Sequence, residues 1–341
     1  MTERGKHVTA PTVRMDAVAP PSGDLFAVGS LLAGSYEIRG ILGHGGMGQV
    51  YDAYDTKLAR PVAIKVAWPT VGAAAVRKEA QALAAIRHPA MVAVYACGEH
   101  EGTEFVVMER VPGVTLASHL RRRLNGGKPL SLAEILGILG ALADGLGAVH
   151  RAGIAHRDVK PDNVMLAPSG RVVLMDFGVF LPEFAVSASS ASGSPGYMAP
   201  ETISGAIASG GGFLVDVYAF GVIAFELATG DLPFRGDTAS EIFVQHLSSE
   251  PPSLRDVRPE RPELWGSFDG LVRQLLAKDP LERPQSMDEI IHQLRRVTDA
   301  SGPLSARIPV PASTRGSGRF VVEESPPIAD DEGNARSRNR G

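Results

Sequence analysis

Residues 36–110 carry short apolar runs broken by turn residues, and from about 114 onward apolar positions recur at helical spacing. The runs YEIRGILG, QVYDAYD, RPVAIKVAW, MVAVYACGE and TEFVVMERV predict five strands. One helix, over about 73–87, interrupts them. It puts Val76, Glu79, Leu83 and Ile86 on a single stripe at steps of three and four. Further helices are predicted at 115–124, 131–151, 214–228, 238–248, 267–277 and 286–297. A short strand pair, NVMLAP and RVVLMDF, turns at Ser169-Gly170. A small sheet unit followed by a larger helical one predicts an α+β chain of two lobes, an N-lobe over 36–110 and a C-lobe over 114–297.

The flanks lack this periodicity. Residues 1–33 hold Pro11, Pro20, Pro21 and Gly23 among scattered charges and read as a disordered arm. Residues 300–341, rich in Pro, Gly, Ser and Arg, read as a disordered tail. The opening residues have no apolar run behind their basic positions, which argues against a signal peptide. The most apolar stretch, 215–227, is too short for a membrane helix, carries Asp216 and Glu226, and reads as a buried helix. No membrane span is expected.

Composition narrows the classes. The 341 residues carry a net charge of −4, so no basic excess points to nucleic acid or an anionic membrane surface. Cys97 is the one cysteine, which excludes an internal disulfide and fits a reducing compartment. The nine histidines include no His-x-x-x-His pair, which disfavours a zinc hydrolase. Lysine is scarce, 7 against 27 arginines, so each lysine is worth asking about. Cys97, His150, Trp68 and Trp265 are expected to be plain packing residues.

Three segments carry chemistry. Gly43, His44, Gly45, Gly46, Met47, Gly48, Gln49 and Val50 match G-x-G-x-x-G-x-V, in which missing Cβ atoms let backbone N–H groups approach phosphate oxygens. The same glycines also suit a plain hairpin turn. The strand-like VYDAYD that follows disfavours a dinucleotide fold, which places a helix there. Lys65 sits mid-strand in VAIK, beside apolar residues, and so needs an anion or a route to solvent. Glu79, on the apolar stripe of the next helix, is the favoured partner. The densest segment is His156-Arg157-Asp158-Val159-Lys160-Pro161-Asp162-Asn163, followed by Asp176-Phe177-Gly178 and Ala199-Pro200-Glu201.

In this order the segments resemble the eukaryotic-like (Hanks-type) serine/threonine protein kinases, most closely their bacterial branch, over about 36–297. The resemblance implies a bilobal kinase fold and transfer of the γ-phosphate of ATP to protein Ser/Thr hydroxyls, with Mg²⁺ or Mn²⁺. By resemblance, Asp158 orients or deprotonates the substrate hydroxyl, Lys160 contacts the γ-phosphate, and Asn163 and Asp176 hold the metal. Lys65 holds the α- and β-phosphates and Glu79 positions it. Residues 42–50, from Leu42 to Val50, cover the nucleotide, with Ala63 beside it. The adenine edge meets backbone near Glu109 and Val111, with Met108 as gatekeeper. His156 and Phe177 would stack with Leu83 and Val94, Asp216 would accept N–H bonds from the catalytic loop, and Glu201 would pair with Arg283.

The activation segment departs from the family. Between Asp176 and Glu201 lie five serines and no threonine, with Ser194 where the family usually has threonine. Ser187, Ser189, Ser190 and Ser192 are candidate autophosphorylation sites, with Arg157 as a partner for the phosphate. Protein substrates, a second copy of the chain during autophosphorylation and a cytoplasmic setting are the expected context. A pseudokinase scaffold and a small-molecule phosphotransferase are the rival readings.

Overall fold

Cross-strand register explains how one small sheet serves both a core and a cleft. The computed structural model describes residues 24–45, 48–68, 77, 80, 81, 83–175, 195–207 and 212–300. Strands β1 (Leu31–Leu32), β2 (Tyr36–Gly45), β3 (Gly48–Asp55), β4 (Arg60–Ala67), β5 (Val94–His100) and β6 (Thr103–Glu109) form an antiparallel sheet in the order β1-β2-β3-β4-β6-β5. Side chains alternate across a strand. Val62, Ile64 and Val66 therefore share one face, buried with Ile38, Tyr51, Ala53, Phe105 and Val107. Lys65 takes the opposite face, opposite Val50 on β3 and Val106 on β6.

That second face meets the helix predicted over 73–87. Most of this helix, Glu79 included, lies outside the described residues; Arg77, Ala80, Gln81, Leu83 and Ala84 are helical. Ala80 packs against Ala67 and Val106, so the helix covers the side of the sheet that carries Lys65. Leu83 and Ile86 continue into the main core of the helical lobe. The run predicted as a strand from Met91 begins as one only at Val94. Its first residues leave the sheet to meet the helical lobe, Leu174 N–H donating to Ala90 O at 2.8 Å and Val92 N–H to Leu174 O at 3.2 Å.

The helical lobe follows with β7 (Val114–Thr115), α1 (Leu116–Asn125), α2 (Leu132–Arg151), β8 (Val164–Leu166), β9 (Val172–Leu174), α3 (Pro200–Ile203), α4 (Gly212–Thr229), α5 (Ala239–Ser248), α6 (Leu254–Val257), α7 (Ser267–Leu275) and α8 (Met287–Ala300). β7, β8 and β9 make a second, three-stranded sheet. Predicted helix starts at 131 and 238 are N-caps: Ser131 and Glu134 form a reciprocal capping box, and Thr238 Oγ1 accepts from Glu241 N–H. Such caps satisfy amide groups that a helix start leaves orphaned, worth about 1 kcal/mol each. α2 and α4 are long and apolar enough to cross a membrane by length and composition alone. Both are core helices, with 67% and 83% of their apolar windows buried inside the protein. Apart from Asp216 and Glu226, α4 is apolar all round, as a largely enclosed helix must be.

The disordered arm expected over 1–33 is corrected from residue 24 onward. Residues 24–32 pack on the first sheet, and Leu25 and Phe26 join its outer core. Residues 1–23 and the tail over 301–341 lie outside the described residues. Cys97, expected to be a packing residue, is exposed on the edge strand β5. Trp68 is buried as expected, and Trp265 packs on the main core while its indole N–H donates to Arg258 O at 3.3 Å.

Glu201 and Arg283 meet as expected, in a two-pronged ion pair at 2.7 and 2.9 Å with Arg283 fully buried. Nearby, Tyr218 Oη and His246 Nδ1 lie 2.8 Å apart, and His246 is fully enclosed. Burial, reinforced by the Lys278 charge, pushes the His246 imidazole down to about 4. An unfolded histidine takes its proton near pH 6.5, so between those values the unfolded chain binds more protons and stability is lost as the pH falls. Going from pH 7 to 5 should cost the fold about 2 kcal/mol through this group. Urea unfolding at the two pH values checks this, and His246→Asn should flatten the dependence.

Candidate active site

The catalytic loop is built around a buried carboxylate on α4. Asp216 is fully enclosed, and a charge there must be hydrogen-bonded or neutralised. Its two oxygens accept from the backbone N–H groups of His156 and Arg157, both at 2.7 Å, as expected from the sequence. A third partner is a correction. His150, read as plain packing, places Nε2 at 2.8 Å from Asp216 Oδ2 and stacks its ring 4.8 Å from Phe213. The loop held this way includes Arg157 at φ +64°, a left-handed backbone that costs a non-glycine residue about 1 kcal/mol or more. Two charge-assisted bonds to adjacent amides supply the restraint that keeps it there.

This restraint sets the residues that follow. Lys160 Nζ lies 3.0 and 2.9 Å from the two oxygens of Asp158. Asn163 Nδ2 donates to Asp158 Oδ2 and to the Asp158 carbonyl, both at 2.8 Å. The amide nitrogen of Asn163 is thereby committed to Asp158, and its amide oxygen is the atom of a kind a hard cation takes. His156, expected in an apolar stack, is fully buried but also makes a polar link, Nε2 lying 3.0 Å from Met175 O. Met175 N–H donates to Asn163 O at 2.8 Å, which ties the chain leading into Asp176 to the catalytic loop. Asp176 and Phe177 lie outside the described residues.

The roof of the cleft comes from β2 to β4. Gly43 pairs with Val50 and Gly45 with Gly48 across the hairpin, whose tip residues Gly46 and Met47 lie outside the described residues. A Cβ on Gly48 would fall 2.0 Å from Val66 O, so only glycine lets the hairpin lie this close to β4. Leu42 and Val50 are half-buried, and His44 is exposed with Nε2 3.7 Å from Asp24. Gln49 departs from its expected role. Its side chain is buried on the face away from Lys65, where Leu25 N–H and the Tyr51 hydroxyl donate to it.

The back and floor are apolar. Ala63 lies opposite Met108 in the sheet. Met108 packs with Val92, Val111, Met165 and Val173. Glu109 uses its side chain in a way the sequence did not reveal. Arg171, just past the Ser169-Gly170 turn, donates to both its oxygens at 2.6 and 3.2 Å and to Pro89 O. This pair joins the segment between the lobes to the floor of the cleft. Arg110 similarly grips Asp52 of β3 at 2.8 and 3.2 Å.

Two more groups were missed. The Tyr197 hydroxyl donates to Glu226 Oε2 at 2.6 Å, joining the loop before α3 to α4. Burial, with Asp162 nearby, holds the Glu226 carboxyl above the usual range against the hydrogen bond from Tyr197. The signal available in the sequence was Glu226 itself, an acid inside an otherwise apolar run.

The residues present fit a metal-bound nucleoside triphosphate. Gly48 shows a backbone approach that a side chain would block, the floor is apolar, and Asp158 and Asn163 present oxygen donors beside Lys160. A small antiparallel sheet over a helical lobe, with this loop between them, is a protein-kinase fold. The protein kinase domain model matches residues 36–294, and the chain belongs to that family. Among curated proteins it is similar to serine/threonine-protein kinase PrkC of Bacillus subtilis, 33% identical over 80% of this chain and 42% of that protein. Serine/threonine-protein kinase PknB of Mycolicibacterium smegmatis is 35% identical, over 81% of this chain and 45% of that protein. The chain thus spans less than half the length of these relatives. Among solved structures, a mutant form of the kinase domain of Mycobacterium tuberculosis PknI superposes with a TM-score of 0.63 at 29% identity, covering 81% of this chain and all of that one.

Asp216→Asn puts an amide N–H against a backbone N–H and should cost about 2–3 kcal/mol of stability. Turnover should fall further than the folded fraction does, because the loop carrying Asp158 loses its anchor. Chemical denaturation and steady-state kinetics on one preparation compare the two losses.

Proposed function

We propose that the chain is an ATP-dependent serine/threonine protein kinase. The observation that carries the reading is the bracketed carboxylate of Asp158, held by Lys160 Nζ at 2.9 Å and by Asn163 Nδ2 at 2.8 Å. A carboxylate fixed in this way can accept the proton of a Ser or Thr hydroxyl as its oxygen attacks the γ-phosphorus. The bond from the γ-phosphorus to the bridging oxygen breaks, ADP leaves, and the phosphoryl group stays on the substrate oxygen. Lys160 offsets the charge on the transferred group. Mg²⁺ or Mn²⁺, held by Asn163 and Asp176, neutralises phosphate oxygens when bound. Lys65, with Glu79 as its partner, holds the α- and β-phosphates. The packing of Ala80 beside Ala67 supports that pairing, since Glu79 directly precedes Ala80.

Protein hydroxyls are the better substrate class, supported by the Lys160-Pro161-x-Asn163 pattern and by the similarity to relatives named as serine/threonine-protein kinases. Autophosphorylation at one or more of Ser187, Ser189, Ser190 and Ser192, between two copies of the chain, is the proposed activating step. Arg157 supports it: the residue is half-buried, and among the described residues no acidic side chain pairs with it. The acidic balance and the exposed thiol of Cys97 support a cytoplasmic setting.

Labelled Mg·ATP with a generic basic protein tests the activity. Asp158→Asn should lower turnover about a hundredfold or more, and Lys65→Arg should cripple it while the fold survives, because a planar fork does not replace a compact ammonium. Nucleotide binding without transfer would favour the scaffold reading, and transfer to small molecules alone would favour the other rival. Mass spectrometry of active enzyme should find phosphate on the serines at 187–192, and its absence would sink the activation proposal.

A further inference from the structure

The segment preceding the kinase domain is built into the phosphate loop. The family match begins at residue 36, yet residues 24–32 are packed on the sheet. Gly29 N–H donates to Ile38 O and Ile38 N–H to Ser30 O, and β1 then pairs with β2, which adds an edge to the sheet. Gly29 at φ +89° makes the turn that carries residues 24–26 back across the outer face.

There the segment meets β3 next to the loop tip. Phe26 N–H donates to the Tyr51 hydroxyl at 3.0 Å, and that hydroxyl donates to Gln49 Oε1. Leu25 N–H donates to the same oxygen at 3.0 Å. The Asp24 carboxylate accepts from Gln49 Nε2 at 3.4 Å and lies 3.7 Å from His44 Nε2, so it faces both strands of the hairpin. The Phe26 ring closes the site edge-on against Tyr51, centroids 6.2 Å apart. Gln49 and Tyr51 are 1% and 0% exposed, and the amide and hydroxyl they bury find partners in residues 24–26. Gln49 directly follows Gly48, the residue that lets the hairpin lie against β4.

We propose that residues 24–26 and Gln49 form a strap that fixes the phosphate loop for nucleotide, with Gln49 as a positioning residue. The proposal rests on the reading that residues 43–50 cover the nucleotide. With both strands of the hairpin held, at Gln49 and at His44, the backbone N–H groups these strands carry meet phosphate without first being ordered. A strap that only covered apolar surface would affect stability and leave nucleotide affinity in the folded protein alone.

The full chain carrying Gln49→Ala, and separately Leu25→Pro, tests the strap through KM for ATP, kcat and direct Mg·ADP affinity, each corrected for the folded fraction. Both variants should raise KM and weaken Mg·ADP binding about fivefold, with kcat within about twofold of the parent. Combining them should add little, since each breaks the same contact. Gln49→Glu keeps acceptor oxygens for Leu25 and Tyr51 and should recover part of the affinity. Gly48→Val serves as the control for the loop. If it abolishes Mg·ADP binding while Gln49→Ala and Leu25→Pro leave binding within about twofold, the strap proposal is overturned and the loop reading stands. If Gly48→Val folds and still binds normally, the loop reading fails, and the strap proposal with it.

Discussion

The loop that carries Asp158, Lys160 and Asn163 hangs from one buried carboxylate. Asp216 sits fully enclosed in α4, a helix whose one other acid is Glu226, and would be prohibitively costly there without partners. Its partners are adjacent backbone amides of the catalytic loop and the imidazole of His150. The need to satisfy that charge pins His156 and Arg157, and pinning them places Asp158, Lys160 and Asn163 within bonding distance of one another. The backbone strain at Arg157 is tolerated only because the anchor is buried and doubly bonded.

A second level of organisation joins the lobes. Glu109 could have been a solvated surface acid. Instead Arg171 grips it with two bonds, and the backbone of Ala90 and Val92 pairs with Leu174. The floor strand that leads toward Asp176 is therefore bonded to the N-lobe side of the cleft, while Met175 and His156 tie it to the catalytic loop. The glycine hairpin, the apolar floor and the Asp158–Lys160–Asn163 cluster are thereby referred to one frame.

Much of this was legible in the sequence because local chemistry and tertiary structure agree. Lys65 in an apolar run implied an anion or a route to solvent, and the register with Val50 and Val106 puts it on the face opposite the apolar core of the sheet. Asp216 stood out as an acid in an apolar helix and the resemblance gave its role, whereas Glu226 carried the same signal and was missed. What escaped was long-range. Nothing local distinguishes His150 from a packing histidine or Glu109 from a surface acid; their partners lie 66 and 62 residues away. Gln49 was misread because a loop motif assigns residues by position, whereas the pleat turns every second side chain away from the cleft. The segment over 24–32 was read as an arm because its composition is poor in apolar periodicity. Its order comes from backbone donors meeting Gln49 and Tyr51, which no periodicity shows.

The central claim is that Asp216 holds the catalytic loop in place. Hydrogen exchange of the His156 and Arg157 amides in the full chain addresses it most directly. These residues lie outside any helix or strand, where amides ordinarily exchange fast. Protection close to that of the α4 amides is the expected result. Exchange of both amides at loop rates, with α4 still protected, would contradict it.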